Sequence, residues 1–379
     1  MAENSGFDVN LSADSIALLE AVGILEKNDA FTTADSMEVT RGEFTRLLVC
    51  MLGYRESAAA MVKPAGIYQD VTASTTYASE IVLATQLGLF GSQVSGYFYP
   101  KERAQIDWAA RAVARLLGYG AQVERNGAAP ASLGLLKGIA STSGNLRRDD
   151  ALRILRNALD VELLQVVGFT DGGLALDYVK DETVLTEYFD IYKDEGIMFA
   201  DAFTAISGQK TQLGYARFDT GLFHTDGLET KNLVGTNLRY YFREDDGERT
   251  IVYIEKRKNT EVVLSAKNTE YNYNKNCYSA DNGGKTLQFP MELHTKVAYN
   301  GKPCFDKTLM QPKTGQITLI DNDADGAYEV CIIREFRNLI VKSCNAAEGK
   351  VFDALDSRRN LDTDSYDQFL LYNGKGEMV

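Results

Sequence analysis

The sequence predicts a multidomain α + β chain: a helical N-terminal domain over residues 1–165, a linker over 166–183, and an antiparallel β-rich barrel or sandwich region over 184–379. Three observations predict it. Two segments recur in the first third at one fixed spacing. The residue texture changes near position 184. At 379 residues, the chain exceeds what one ordinary hydrophobic core holds.

The repeat comes first, because it fixes the architecture. SIALLEAVGIL (15–25) matches EIVLATQLGLF (80–90), placing Gly23 on Gly88. LLVCMLGY, ending at Tyr54, matches AVARLLGY, ending at Tyr119, so the same 65-residue spacing holds at both ends of the unit. Each unit reads as helix, loop, helix. Ile16, Leu19 and Val22 make an apolar stripe, and Gly23 and Gly88 fall where a helix stops in the left-handed conformation. Thr40-Arg41-Gly42-Glu43 opens the second helix as a capping box, with the Thr40 hydroxyl accepting from the backbone three residues on and Glu43 reaching back. A shorter third copy has SLGLLKGIA, with Gly138 at the helix stop, and LRRDDALRILRNALDV (146–161) as its second helix. The copies cover about 7–60, 68–120 and 127–165.

In the second half, runs rich in Tyr, Val, Ile and Thr are broken by Gly, Asn and Asp, which is the chemistry of antiparallel strands and turns. Glu244-Asp245-Asp246-Gly247 and Asn300-Gly301 suit hairpin loops. Segments such as YKDEGIMFADAFTAI resemble the region that follows the repeats in many clostridial surface proteins.

Composition narrows the function. Apolar residues at 45% and charged residues at 25% belong to a folded chain. A formal charge of −13 argues against generic nucleic-acid binding, which leaves a basic footprint. No apolar run reaches the length of a membrane span. MAENSGFDVN lacks the basic and apolar regions of a signal peptide, so the expectation is either a cytoplasmic protein or numbering that starts after a removed leader. LLYNGKGEMV reads as a turn, and the natural chain is expected to continue past Val379. The five cysteines (Cys50, Cys277, Cys304, Cys331 and Cys344) form no C-x-x-C pair, leaving zinc and redox readings unsupported.

The repeat resembles the S-layer-homology domain in its Asp-Val start (Asp8-Val9, Asp70-Val71), Gly-Ile or Gly-Leu helix stop (Gly23-Ile24, Gly88-Leu89), Thr-Arg-x-Glu box (Thr40 to Glu43) and Leu-Gly-Tyr finish (Leu52 to Tyr54, Leu117 to Tyr119). The resemblance covers roughly residues 7–165. It implies an all-α, three-lobed pseudo-trimer. It further implies an extracellular place in the cell wall or S-layer, a leader removed before this numbering, and docking on acidic secondary cell-wall polysaccharide in grooves between lobes. The second copy departs from the box with Gln105-Ile106-Asp107-Trp108, and the third with Arg147-Arg148-Asp149-Asp150.

In box geometry Thr40 and Glu43 are occupied with each other, and Arg41 is expected to point outward. A helix N-terminus favours anions, and an arginine fork grips a carboxylate through two hydrogen bonds. Arg41 and Arg148 are therefore candidate polysaccharide ligands. Trp108, the only tryptophan, is a candidate sugar-stacking residue, its alternative being inter-lobe core.

Asp321-Asn322-Asp323-Ala324-Asp325-Gly326 matches the opening of an EF-hand calcium loop, with Asp321, Asp323 and Asp325 as candidate ligands. Ile332 stands where the closing acid belongs, so an acidic turn without metal is the other reading; no cofactor is required. Nucleophile-elbow, phosphate-loop and paired-histidine motifs are absent, and no catalytic residue is assigned. The function expected is that of a non-enzymatic surface protein: wall polysaccharide and self-association or other surface proteins as partners, no nucleic acid, no membrane span. The alternatives are an adhesin or carbohydrate-binding protein, or a wall hydrolase with its activity in a further C-terminal segment.

Overall fold

A computed structural model describes residues 9–33, 37–61, 67–91, 96–170, 173–178, 182–336, 339–356, 358, 360–363 and 373. Asp8 of the expected Asp-Val start lies outside them. The chain divides into two compact units, Met1–Tyr192 and Lys193–Val379.

The first unit is helical: α1 (Val9–Ala21), α2 (Ala30–Thr33), α3 (Arg41–Met51), α4 (Arg55–Ala59), α5 (Ala78–Gln86), α6 (Ile106–Leu116), α7 (Gly120–Arg125), α8 (Ala129–Ser132) and α9 (Arg148–Ala158). The two main helices of the three copies are α1 and α3, α5 and α6, and α8 and α9. The second helix of each copy packs on the first helix of the next: α3 on α5, α6 on α8, and α9 back on α1. The extended residues that lead into the second helices close the same ring. Val39 N–H donates to Leu146 C=O (3.0 Å), Leu146 N–H to Ala104 C=O (2.7 Å), and Ala104 N–H to Val39 C=O (2.8 Å). Two residues further on, Arg41 N–H reaches Glu102 C=O (2.8 Å), Ile106 N–H reaches Gly144 C=O (3.0 Å), and Arg148 N–H reaches Met37 C=O (2.9 Å). Six backbone hydrogen bonds at equivalent places thus close the ring, and three of them give the otherwise orphaned first-turn N–H groups of Arg41, Ile106 and Arg148 their partners.

Side chains at three further equivalent positions lace the rim of this ring. Glu38 pairs with Arg103 (2.5 Å) and accepts from Asn145 (3.0 Å), which in turn accepts from Gln105 (2.8 Å). The buried faces of the second helices fill the centre: Phe44, Leu47, Leu48 and Met51 from α3; Ala109, Ala112 and Val113 from α6; Leu152, Ile154 and Leu155 from α9.

The third copy differs from expectation at its first helix. Instead of running to Gly138, α8 is a single turn, stopped by Gly134 at φ 77°, and turns carry the chain to Gly138. Asn157 of α9 satisfies the carbonyls left open there, donating to Leu135 C=O (2.9 Å) and Lys137 C=O (3.0 Å).

The stretch expected as linker, 166–183, carries an antiparallel hairpin, β1 (Leu164–Thr170) with β2 (Gly173–Tyr178), and α10 (Val184–Phe189) follows. The first unit is therefore not all-α. The hairpin is tied to the end of α6: Leu164 N–H donates to Leu117 C=O (3.0 Å), and the Tyr119 hydroxyl donates to Glu162 C=O (2.9 Å). The close approach needs a glycine at Gly118 (φ 93°), where an added Cβ would stand 2.0 Å from the Leu164 carbonyl oxygen.

The second unit begins with a closed five-stranded barrel formed by β3 (Tyr192–Ala200), β4 (Tyr215–Phe218), β5 (Gly221–His224), β6 (Asn237–Asp245) and β7 (Glu248–Lys256). Phe218, Phe223, Tyr240 and Phe242 stack inside it with ring centroids 4.1–6.1 Å apart. A seven-stranded sheet follows, made from β8 (Thr260–Ser265), β9 (Thr269–Asn272), β10 (Cys277–Asn282), β11 (Lys285–Tyr299), β12 (Lys302–Pro303), β13 (Gln316–Asp321) and β14 (Tyr328–Arg334). A small antiparallel sheet, β15 (Val341–Asn345), β16 (Lys350–Asp353) and β17 (Leu361–Asp362), ends the described chain. Pairing is mostly antiparallel, with two exceptions to the sequence expectation: β11 runs parallel to β14, and β5 parallel to β7. Asp246-Gly247 and Asn300-Gly301 turn the chain with both residues at positive φ, as tight hairpins require. All five cysteines are unbridged; Cys50, Cys277 and Cys331 are buried.

Candidate functional site

The candidate site lies where the first residues of α3, α6 and α9 meet. Thr40 is the N-cap of α3, and both halves of its box are made: Glu43 N–H donates to Thr40 Oγ1 (3.2 Å), and Thr40 N–H donates to Glu43 Oε2 (2.8 Å). The second helical residue is Gly42, whose Cβ, if present, would stand 3.1 Å from Pro100 C=O. Its N–H donates to that carbonyl (2.9 Å), bringing the segment before α6 against the start of α3.

That contact fixes the destination of Arg41. Its guanidinium carbon lies over the rings of Phe98 (4.9 Å) and Trp108 (4.7 Å), both from the second copy. Arg41 is thus half-buried rather than pointing freely outward. Burial draws the Arg41 pKa below its ordinary value, opposed mainly by Glu102. Its Nε is buried, and among the described residues it has no hydrogen-bond partner. Guanidinium over aromatic faces is worth about 0.5–2 kcal/mol, most when desolvated. The contact holds the fork without neutralising it.

Trp108 sits differently from a sugar platform. Phe90 stacks on it at 5.3 Å with planes 9° apart, Phe44 and Phe98 meet it edge-on, and Arg41 lies over it. Its indole Nε1 is also buried and, among the described residues, has no acceptor. The structure places Trp108 in the wall between copies.

Arg148 is engaged within the protein. It is 8% exposed, donates from Nη1 to Phe31 C=O (3.1 Å) and from Nη2 to Glu43 Oε1 (3.0 Å), and covers the Phe31 ring at 4.7 Å. Glu43 therefore holds two structures at once, its Oε2 the cap of α3 and its Oε1 the arginine of the third copy. Burial alone would raise the Glu43 pKa, but the Thr40 N–H and Arg148 outweigh it and hold the carboxyl below its ordinary range.

An open depression of about 270 Å³ lies beside the box, lined by Thr40, Glu43, Thr75, Tyr77, Pro100 and Lys101. Next to it, Asp70 accepts from the N–H groups of Phe98 (2.8 Å) and Tyr99 (2.7 Å) and so orders the segment that supplies the floor under Arg41. Tyr97 and Tyr99 flank Phe98 and stack on each other at 5.8 Å, both more than a third exposed. The motif reading missed Phe90, Phe98 and this tyrosine pair. The signal available was the aromatic run Tyr97-Phe98-Tyr99; in the structure Phe98 is buried and the tyrosines are exposed, with Tyr99 turned at φ 59°.

In the second unit, carboxylate oxygens of Asp321, Asp323 and Asp325 come within 4.8 Å of one another in the turn between β13 and β14. Asp321 is buried and accepts from Ala324 N–H (2.6 Å) through Oδ1 and Gly326 N–H (3.0 Å) through Oδ2. Asn322 anchors the turn to the barrel end, accepting from Asn237 N–H (2.7 Å) and donating to Gly235 C=O (3.0 Å).

No family model matches the chain. It is similar to the Middle cell wall protein of Brevibacillus brevis (strain 47), with 23% identity over an alignment 354 positions long that covers 83% of this chain and 33% of that protein. The chain thus spans about a third of that relative's length. Among the described residues no helix is long and apolar enough to cross a membrane.

Proposed function

We propose that this is a non-enzymatic protein of the bacterial cell wall surface. In this reading its helical unit is an S-layer-homology trimer that grips acidic wall polysaccharide at Arg41, while the β-rich unit serves surface assembly or display. The observation that carries the proposal is Arg41: a half-buried guanidinium held against two aromatic rings with, among the described residues, no acidic partner within hydrogen-bonding reach. Buried or half-buried charges are ordinarily paired, so an arginine kept ready in this way suits an anion from outside, and a carboxylate matches its fork. Similarity to a cell wall protein and the three-copy ring support the same reading.

The test is co-sedimentation of the full chain with Gram-positive sacculi at physiological salt, before and after acid removal of the secondary polysaccharide. The proposal expects binding to intact sacculi and its loss after stripping. Equal binding to stripped peptidoglycan would contradict it.

The acidic turn after β13 works, in our reading, without metal. Asp321 already spends both oxygens on backbone N–H groups, and Ile332 leaves the coordination sphere open at the position where an EF-hand closes it. Millimolar calcium and excess chelator are expected to give the same melting temperature. A rise of several degrees with calcium, lost in the Asp323→Asn/Asp325→Asn double variant, would establish a calcium site instead.

A further inference from the structure

The seven-stranded sheet ends in β8 on one side and β9 on the other, and the two edges are finished differently. A strand edge presents unpaired N–H and C=O groups, a template for another chain, and proteins usually blunt it. At β9 the outward groups are taken: Tyr271 N–H donates to Gln311 Oε1 (2.6 Å), and Gln311 Nε2 donates to Thr269 C=O (2.9 Å). In the small sheet, β15 carries Lys342 and a break in register between Val341 and Ser343. β8 has neither device. Its register with β13 runs unbroken from Thr260 to Ser265, without proline, glycine or lysine. The bond from Ala266 N–H to Gly315 C=O (3.0 Å) sets the phase of that ladder. Each residue of an antiparallel strand directs both backbone groups to one side, and successive residues alternate. Thr260, Val262 and Leu264 therefore face β13, and Glu261, Val263 and Ser265 face outward. All three outward residues are exposed, Val263 by 55%, and among the described residues their N–H groups meet no backbone partner.

We infer that β8 is an association edge for a second copy of this chain, pairing antiparallel with its own β8 about a two-fold axis at Val263. The outward phase selects that register. Val263 stands across from Val263 of the second copy and Glu261 across from Ser265 of the second copy, so the facing residues are those whose N–H and C=O groups point out. Charge fits the same partner. At a net charge of −13 two copies repel each other over most of their surface. β8 carries one acid, Glu261, which lies 3.9 Å from Lys256 and in this register faces an uncharged serine. The contact is the same on both copies and closes on itself, joining two seven-stranded sheets into one. The inference rests on the assembly half of the proposed function, to which it gives a partner and a site, and does not involve anchoring.

The experiment is disulfide trapping in the full-length protein, with Cys304→Ser and Cys344→Ser removing the thiols that are not buried. Val263→Cys places two thiols across the axis at a Cα separation of about 5.5 Å, within disulfide reach. Glu261→Cys, also on the exposed edge, places its thiols about 14 Å apart along the paired strands, out of reach. Thiols held in one complex react at a raised effective concentration, so Val263→Cys should cross-link at least about tenfold faster than Glu261→Cys. Peptide mass mapping should show the 263–263 link. Sedimentation velocity up to millimolar protein follows the unlinked chain, because a six-residue edge is small beside the about 1,200 Å² of a stable interface. Val263→Pro removes an N–H that faces solvent, which an edge strand tolerates. It should abolish dimerisation with an unchanged circular dichroism spectrum; the trapping arm decides if this variant does not fold. Equal trapping at 261 and 263, or dimerisation of Val263→Pro as strong as that of the wild type, would overturn the inference and leave self-association through another surface standing. A wild type that stays monomeric, with no preferential trapping at 263, would overturn the inference and self-association together, leaving the edge to a strand of another protein.

Discussion

Glu43→Ala is expected to melt the helical unit about 10 °C below the wild type. The residue carries two loads. Through Oε2 it completes the α3 capping box, and a lost cap costs about 1 kcal/mol. Through Oε1 it neutralises Arg148, which is 8% exposed. Removing one partner of a buried pair costs about 3–5 kcal/mol because the other charge is stranded; Glu43 is itself partly exposed, so the lower end applies. A sum of roughly 4 kcal/mol corresponds to about 8–16 °C for a unit of this size. Thr40→Ala loses only the cap and should shift melting by about a quarter of that. The pH dependence follows in sign. The Glu43 carboxyl is held below its ordinary 4.5 in the folded state, so its contribution is fully present above pH 4.5 and disappears as the pH falls through the lowered value. The wild type should lose its advantage over Glu43→Gln between neutral and strongly acidic pH. A gap that stays constant down to pH 3 would contradict the assignment. Thermal melts followed by circular dichroism at 222 nm read both.

Gly118→Ala should be about as damaging, by a different route. Gly88 and Gly118 both end helices in the left-handed region, at φ 73° and 93°. At Gly88 nothing lies within 4 Å of an added Cβ, so alanine there costs only the conformational penalty of about 1–2 kcal/mol. At Gly118 the added carbon would stand 2.0 Å from Leu164 C=O, which no rotamer relieves, because the backbone fixes the Cβ and the carbonyl is itself backbone. The hairpin β1–β2 must move off α6, breaking the Leu164 N–H to Leu117 C=O bond, and overpacking of that kind adds about 1–3 kcal/mol. Denaturant midpoints should fall for both variants and clearly further for Gly118→Ala. Equal effects would mean that the hairpin is not anchored there.

The contrast between what sequence shows and what it hides runs along the same lines. The Thr40 and Glu43 box, the helix-ending glycines and the Asp246-Gly247 turn are local: their residues lie within a few positions of the atoms they satisfy, and spacing alone reveals them. The partners of Arg41 and Arg148 come from other copies, at separations that only the cyclic packing of α3, α6 and α9 defines. The sequence favours Arg41 over Arg148 only through its intact box, and the structure distinguishes them by their partners, the Trp108 ring for Arg41 and the Glu43 carboxylate for Arg148. The single turn of α8 escaped for a related reason. SLGLLKGIA offers two glycines as possible helix stops, and the helix ends at the first, Gly134, with the Asn157 side chain taking over the carbonyls beyond it. The hairpin over 164–178 is short, and its docking to Leu117 is tertiary. The parallel pairing of β11 with β14 also depends on a crossover through β12 and β13 that alternation cannot register.

The most direct test of the central claim is the affinity of the full chain for acidic polysaccharide released from sacculi, measured by calorimetry for wild type, Arg41→Ala and Arg41→Lys. A charge-assisted fork contributes about 1.5–3 kcal/mol, or tenfold and more in affinity. Screening over about 8 Å at physiological salt leaves this short-range contact effective despite the net charge of −13. Arg41→Ala should weaken binding by at least about tenfold. Arg41→Lys should fall between, because it keeps the charge and loses the planar fork. Unchanged affinity in Arg41→Ala, with its fold intact by circular dichroism, would contradict the account.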